Sequence, residues 1–329
     1  MQMRSYGSSG LRVPVLGFGA MQVGDPSLDE AQAARLLHHV LDAGLTLLDT
    51  ARSYGLAEER IGRVLAHRRD EFVLSTKVGY GIPGVPDWTY DCVIAGVDAA
   101  RSRLRTDVID IVHLHSCGRD TLAAGEVTRA LTRCREQGKI KVAAYSGDGD
   151  ALRFAISLTS PAPVGEVGRR PGEGEARLGT SPAPVGEVGR RPGEGSLQGL
   201  QASVNLCDQQ ALPLLRDART RGVGIIAKRS LAGRPWQGAP TGDAVHDEYR
   251  RRFETLCRAL SVASDDWDAT ALRFTAFAPG VDCVIVGGTD AAKVDRNVAT
   301  IALGPLEPEV RSAITGAFGK HGRRWEGLV

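Results

Sequence analysis

Three stretches decide how this chain reads: Thr46–Gly55, TLLDTARSYG; Phe72–Gly79, FVLSTKVG; and Asp110–Ser116, DIVHLHS. Each is a short apolar run that stops on a polar group. Runs of this length, without alternation, are what strands buried on both faces look like. Working outward, five more such runs appear. The full set predicts strands at Val15–Gly19, Thr46–Asp49, Phe72–Thr76, Ile109–His113, Val142–Tyr145, Leu200–Ser203, Gly224–Ala227 and Cys283–Val286. A longer amphipathic segment follows each one. These are Leu28–Ala43, Glu58–His67, Tyr90–Leu104, Leu122–Gln137, Asp148–Leu158, Gln209–Arg221, Asp265–Ala278 and Asp290–Ile301. In the first, Ala31, Ala34, Leu36, Leu37, Val40 and Leu41 follow a period near 3.6. Ser27, Asp208 and Asp290 stand where helix caps belong. Arg4–Val13 predicts a hairpin turning at Gly7 or Gly10.

Eight βα units predict a (β/α)8 TIM barrel, an α/β fold in a single domain spanning residues 1–329 with an N-terminal hairpin. An open doubly wound sheet would announce itself by G-x-G-x-x-G after its first strand. Gly17-Phe-Gly19 lacks the third glycine at the right offset. Gly79-Tyr-Gly81-Ile-Pro-Gly84 fits the bare pattern but leads into a proline-containing loop, not a helix.

One segment departs from the alternation. TSPAPVGEVGRRPGEG occurs at Thr159–Gly174 and again at Thr180–Gly195. Gly and Pro supply 15 of the 37 residues at 159–195, and no aromatic occurs there. Such a stretch buries too little apolar surface to offset the entropy of ordering it. The expectation is a flexible duplicated insertion, between the fifth helix and the sixth strand, at the end of the barrel opposite the catalytic rim. Without it, 292 of the 329 residues remain, enough for one barrel.

Hydrophobic residues make up 42% of the chain and charged residues 24%, with a net charge of +2. This is ordinary globular composition, which excludes a mostly disordered chain, a collagen-like fibre and a coiled coil. No apolar run approaches 18 residues, and the N-terminus has no basic flank followed by an apolar core. The charges are interspersed and favour neither nucleic acid nor a membrane surface as partner. Cys92, Cys117, Cys134, Cys207, Cys257 and Cys283 form no CxxC pair and no zinc-like spacing, so reduced thiols and a cytoplasmic location are expected.

In a barrel the reacting groups project from the C-terminal strand ends. Those ends supply Asp49, Tyr54 five residues further on, Lys77 and His115. His113 and His115 share a strand face, so alternation does not separate them; nearness to the strand end favours His115. Hydride reduction of a carbonyl creates an alkoxide that needs a proton. A phenol is a poor donor near neutral pH unless its anion is stabilised. An ammonium beside it supplies that stabilisation, a carboxylate holds the ammonium in place, and a neutral imidazole orients the substrate oxygen. None of these steps needs a metal.

LLDTARSYG, STKVG and DIVHLHS together resemble the Asp–Tyr–Lys–His signature of the aldo-keto reductase superfamily, and GKIKVAAYSG, LQASVN, GVGIIAKRSLA and VIVGGTDAAKVDRN resemble its cofactor segments in order. The resemblance spans the chain apart from the repeat. It implies an NAD(P)H-dependent oxidoreductase that interconverts a small carbonyl compound and its alcohol, with NADPH favoured and NADH possible. Tyr54 would be the proton donor, tuned by Lys77 and Asp49, and His115 would orient the carbonyl. Ser146 and Gln201 would hold the nicotinamide carboxamide, and Ala20 and Met21 would lie near the nicotinamide. Lys228 stands where many members stack a Tyr, and Leu231 would line the pyrophosphate path. Gly288, Thr289, Lys293 and Asn297 would meet the phosphate and adenine. Met21, Trp88 and Trp236 would line the substrate mouth, edged by Cys117 and Arg119.

There are departures from the family pattern. Gly147 replaces a common Asn, Lys228-Arg229-Ser230 replaces Tyr-Ser-Pro, Gly287 replaces a Lys and Arg296 replaces a Glu. Lys293 can still pair with a 2′-phosphate. Two other functions compete with reduction. One is a cofactor-binding regulatory subunit with little turnover. The other is a barrel lyase or isomerase using Lys77 as a Schiff-base amine. The sequence does not set the oligomeric state.

Overall fold

The computed structural model describes residues 1–159, 197–260 and 264–328. Two short strands, β1 (Met3–Ser5) and β2 (Arg12–Pro14), form the antiparallel N-terminal hairpin. Eight parallel strands follow: β3 (Leu16–Gly19), β4 (Leu47–Asp49), β5 (Val73–Val78), β6 (Ile109–His115), β7 (Ile140–Ser146), β8 (Gly199–Ser203), β9 (Gly224–Lys228) and β10 (Cys283–Gly287). They close into a barrel in chain order, β10 pairing with both β9 and β3. All eight apolar runs become barrel strands, with no end displaced by more than two residues.

Parity along the strands sets the interior. Leu47, Ile111, Val142, Ala144, Ile226 and Cys283 fill its lower part together with Tyr6 and Val13 of the hairpin region. The hairpin thus plugs the N-terminal end of the barrel. Tyr6 is completely buried there, and a Cβ on Gly224 would lie 2.5 Å from its ring. Further along the same inward face of β4 to β8, the residues turn polar at Asp49, Ser75, Lys77, His113, Ser146 and Gln201. The outer faces of the strands pack against the surrounding helices, such as Glu30–Asp42 through Leu36, Leu37 and Val40.

Several local expectations are corrected. The first helix begins at Glu30, and Asp29 caps it by accepting from the Gln32 amide; Ser27 instead donates to Asp25 in the preceding turn. The helix after β8 begins only at Leu212, with Pro213 in its first turn, so Asp208 lies outside it and is buried. Asp290 does cap Ala291–Ala302. Leu122–Gln137 divides into Arg119–Ala124 and Glu126–Glu136 at Gly125, whose φ of +75° a helix cannot continue. Two helices were not anticipated, Ala244–Ala259 and Pro308–His321. Together with Phe274 of Trp267–Ala276 they build a second apolar cluster beside the barrel from Tyr249, Phe253, Leu256, Ile314 and Phe318.

The repeat at 159–195 lies outside the described residues except for Thr159. Thr159 and Leu197 meet in an isolated parallel bridge just ahead of β8, at the end of the barrel opposite its C-terminal rim.

Candidate active site

Asp49 ends β4 and is 1% exposed. Strand register sets it beside Ser75 of β5. Its Oδ2 accepts from Lys77 Nζ at 2.6 Å, and its Oδ1 accepts from Ser75 Oγ at 2.7 Å and Gln201 Nε2 at 2.9 Å. Ser146 Oγ donates in turn to Gln201 Oε1 at 2.8 Å, and His113 Nε2 lies 3.1 Å from Ser75 Oγ. A single polar network therefore joins β4, β5, β6, β7 and β8. Burial opposes both charges of the Lys77–Asp49 pair. The contact prevails, leaving the carboxyl below its usual range and the ammonium above its own.

Lys77 also donates to the Thr50 carbonyl at 2.8 Å, and its Nζ stands 4.9 Å from the centre of the Tyr54 ring. Tyr54 sits in the loop after β4. Leu56 N donates to Gly24 O at 2.9 Å, drawing this loop against the turn that follows β3. A Cβ on Gly24 would fall 1.6 Å from the Tyr54 carbonyl oxygen, so only glycine permits that approach. Burial raises the Tyr54 phenol above its ordinary value; Lys77 pulls it down, while the Asp49 charge pushes it back up. The net direction is opposite to the lowering expected from Lys77 alone, because burial outweighs the ammonium and the Asp49 charge adds to it. Tyr54 is accordingly a protonated phenol at neutral pH, held beside a cation that stabilises its anion.

His115 meets Tyr54 edge to face, with ring centres 6.1 Å apart. Burial and the nearby Lys77 ammonium push its imidazole down to about 4, and burial pushes His113 down to about 3. Both are neutral at pH 7. His113 is fully enclosed, whereas His115 reaches the cleft. The Tyr80 ring stacks on His115, with its Oη 2.8 Å from Nδ1.

A cleft of about 640 Å³ opens at this rim. Met21, Asp49, Tyr54, Lys77, His115, Ser146, Gln201, Lys228 and Leu231 line it. Gln22, Ser116, Arg229, Ser230, Arg234 and Gly287 line it as well, and the sequence did not single these out as binding residues. Ala20 is buried behind the wall, with its amide donating to the Asp49 carbonyl at 2.8 Å. Trp88 stands one ring back, 5.4 Å from Tyr80. Trp236 is off the cleft; it packs on Phe253 at 5.4 Å and donates Nε1–H to Asp268 at 2.8 Å. Gly288 and Thr289 follow β10 just outside the lining, and Lys293 and Asn297 lie on the adjoining helix.

Lys228 is tied down in a way the sequence did not reveal. Its Nζ donates to Asp148 Oδ2 at 2.7 Å, and the same carboxylate accepts from Ser203 N at 2.7 Å and Ser203 Oγ at 2.9 Å. The glycine at 147 has a local reason: a Cβ there would lie 2.3 Å from Tyr145 Oη, which donates to the Cys117 carbonyl. A second cleft, of about 650 Å³, lies at the N-terminal strand ends. Its Asp110 pairs with both Arg69 and Lys141, which makes it a structural feature of the barrel floor.

A closed parallel barrel whose rim gathers an acid, a phenol, an ammonium and an imidazole defines a class, and comparison with known proteins agrees with it. The model of the Aldo/keto reductase family matches residues 15–151. L-galactose dehydrogenase of Arabidopsis thaliana is 23% identical over 313 residues, covering 92% of this chain and 88% of that one. 6-dehydroglucose reductase of Novosphingobium aromaticivorans is 35% identical over 156 residues, 44% of this chain and 50% of that one. The holo form of aldo-keto reductase AKR11C1 from Bacillus halodurans superimposes with a TM-score of 0.73 at 23% identity, over 96% of both chains, a likeness of fold. The chain is thus similar to the aldo/keto reductase family over residues 15–151 and shares the barrel fold of the AKR11C1 structure over nearly its whole length.

Proposed function

We propose that this protein reduces the carbonyl group of a small aldehyde or ketone, or oxidises the corresponding alcohol, using NADPH in preference to NADH, with Tyr54 as general acid. The observation that carries the reading is the convergence of Tyr54 and His115 on Lys77, itself 2.6 Å from a buried Asp49, at the wall of one cleft.

The cleft suits a dinucleotide chemically. Lys228, Arg229 and Arg234 offer cations to a pyrophosphate. Ser146 and Gln201 offer a hydroxyl and an amide to a carboxamide. Lys293 and Arg296, on the helix after β10, suit a 2′-phosphate. When bound, the cofactor supplies hydride to the carbonyl carbon. This chain's residues perform the rest. Neutral His115 donates a hydrogen bond to the carbonyl oxygen and fixes its direction. Tyr54 gives its proton to that oxygen as negative charge develops, and Lys77 stabilises the phenolate left behind. Asp49 keeps Lys77 charged and in register. In the oxidative direction the same phenolate takes the proton back.

The test separates binding from turnover. NADPH and NADH are titrated by fluorescence, and absorbance at 340 nm is followed with aldehydes, ketones and aldoses; the names of the relatives place sugars on that panel. Tyr54→Phe should keep NADPH affinity and lose about 100-fold or more in turnover. Cofactor binding without turnover across the whole panel would reject the reductase reading in favour of a regulatory subunit.

A further inference from the structure

We propose that Tyr80 is a positioning residue: its hydroxyl donates to His115 Nδ1 and fixes the imidazole as the tautomer whose proton is on Nε2. This rests on the reading of His115 as the group that orients the carbonyl oxygen. Which nitrogen of a neutral imidazole carries the proton is set by the hydrogen bond the other nitrogen makes. Here Nδ1 is 2.8 Å from Tyr80 Oη, and the rings stack 5.6 Å apart at 24°. Among the described residues, this is the hydrogen bond that Tyr80 Oη makes. If the phenol accepted instead, Nε2 would turn a bare lone pair toward a carbonyl oxygen, which repels it. With Tyr80 as donor, Nε2–H is free to donate to the substrate.

The loop that carries Tyr80 is built to hold that ring still. Trp88 packs on Tyr80 at 5.4 Å, and its amide donates to the Gly79 carbonyl at 2.7 Å. Gly79 has a φ of +133°, and a Cβ there would lie 2.1 Å from the Trp88 ring, so glycine is required both for the backbone and for the contact. Arg52 Nε donates to the Gly81 carbonyl at 2.8 Å, and the Gly81 amide donates to Asp87 Oδ1 at 2.8 Å. Tyr80 is therefore fixed on both sides in sequence while its hydroxyl faces His115.

The experiment reads the tautomer directly. Protein labelled with ¹⁵N at its seven histidines gives long-range ¹H–¹⁵N ring patterns; a His115→Gln spectrum identifies those of His115. The wild type should show the Nε2–H pattern at pH 7.5. Tyr80→Phe, which keeps the stacked ring, should show a mixture of tautomers. It should lose about tenfold in kcat, the worth of one well-placed hydrogen bond, with NADPH affinity unchanged. An Nδ1–H pattern in the wild type, or an unaltered Nε2–H pattern in Tyr80→Phe, overturns the proposal. Urea unfolding of Tyr80→Phe checks that the loop remains folded. The spectrum needs no substrate, so a protein that turns over nothing on the panel would sink the reductase reading while the tautomer still decides the role of Tyr80.

Discussion

Replacing Lys77 by Met removes one member of a buried ion pair and leaves the other behind. Asp49 is 1% exposed and Lys77 2%, with 2.6 Å between the charged atoms. Asp49 would keep the Ser75 and Gln201 hydrogen bonds but no cation. Breaking such a pair from one side costs about 3–5 kcal/mol, because the surviving charge is left in a low-dielectric interior. That is a large share of the ~5–15 kcal/mol that holds a typical domain folded. Lys77→Met with Asp49→Asn removes both charges and should recover about 2 kcal/mol or more of the loss. Urea unfolding at pH 8 measures this as a fall in midpoint at constant slope for Lys77→Met and a partial return for the double variant. The pH dependence supplies a second check. In the wild type the Asp49 carboxyl is held down, so its contribution is present above the unfolded value of about 3.9 and is lost as pH falls through the lower folded value. Without Lys77, burial alone raises that carboxyl, so the deficit should shrink as pH falls through the raised value. A Lys77→Met protein within about 1 kcal/mol of wild type at pH 8, or a double variant no better than the single, would refute the account of the pair. Both variants should be inactive in carbonyl reduction.

Burial, with the neighbouring Asp148 charge, pushes Asp208 up to about 7. The folded state thus binds an extra proton between about 3.9 and 7, and stability is lost as pH rises through that window. Asp208→Asn should be more stable than wild type by ~2–4 kcal/mol at pH 8.5, and the gap should close near pH 4; an equal difference at both pH values refutes it. Gly24→Ala should cost ~2–3 kcal/mol in urea unfolding and lower turnover at least tenfold, because its Cβ would displace the backbone of the Tyr54 loop. Trp236→Phe should lose ~1–2 kcal/mol with its bond to Asp268 and leave the KM for aldehydes unchanged; a raised KM would bring Trp236 back to the substrate mouth.

What the sequence reveals divides along physical lines. The barrel strands were visible because parallel strands buried on both faces leave compact apolar runs, and the helices between them leave a longer period. The meeting of Asp49, Lys77 and His115 could be foreseen from strand ends, because register and parity bring those ends to one rim. The Lys228–Asp148 pair could not. It depends on β8 lying between β7 and β9, with Ser203 opposite Lys228, a relation across three strands that leaves no local trace. Tyr80 was hidden in a glycine-flanked loop whose conformation is set by Trp88. Trp236 stands outside the lining of the cleft, packed on Phe253 of a helix the sequence did not reveal. Ala244–Ala259 and Pro308–His321 went unread because the count of eight βα units was already complete without them.

The hydrogen-bond network around Asp49 reaches into five neighbouring strands and rests on no loop side chain. Loops at the barrel mouth other than those carrying Tyr54 and Tyr80 can therefore be exchanged for those of a relative without dismantling this network. Changing which molecules enter is a matter of the borders, and changing what happens to them requires rebuilding the barrel itself.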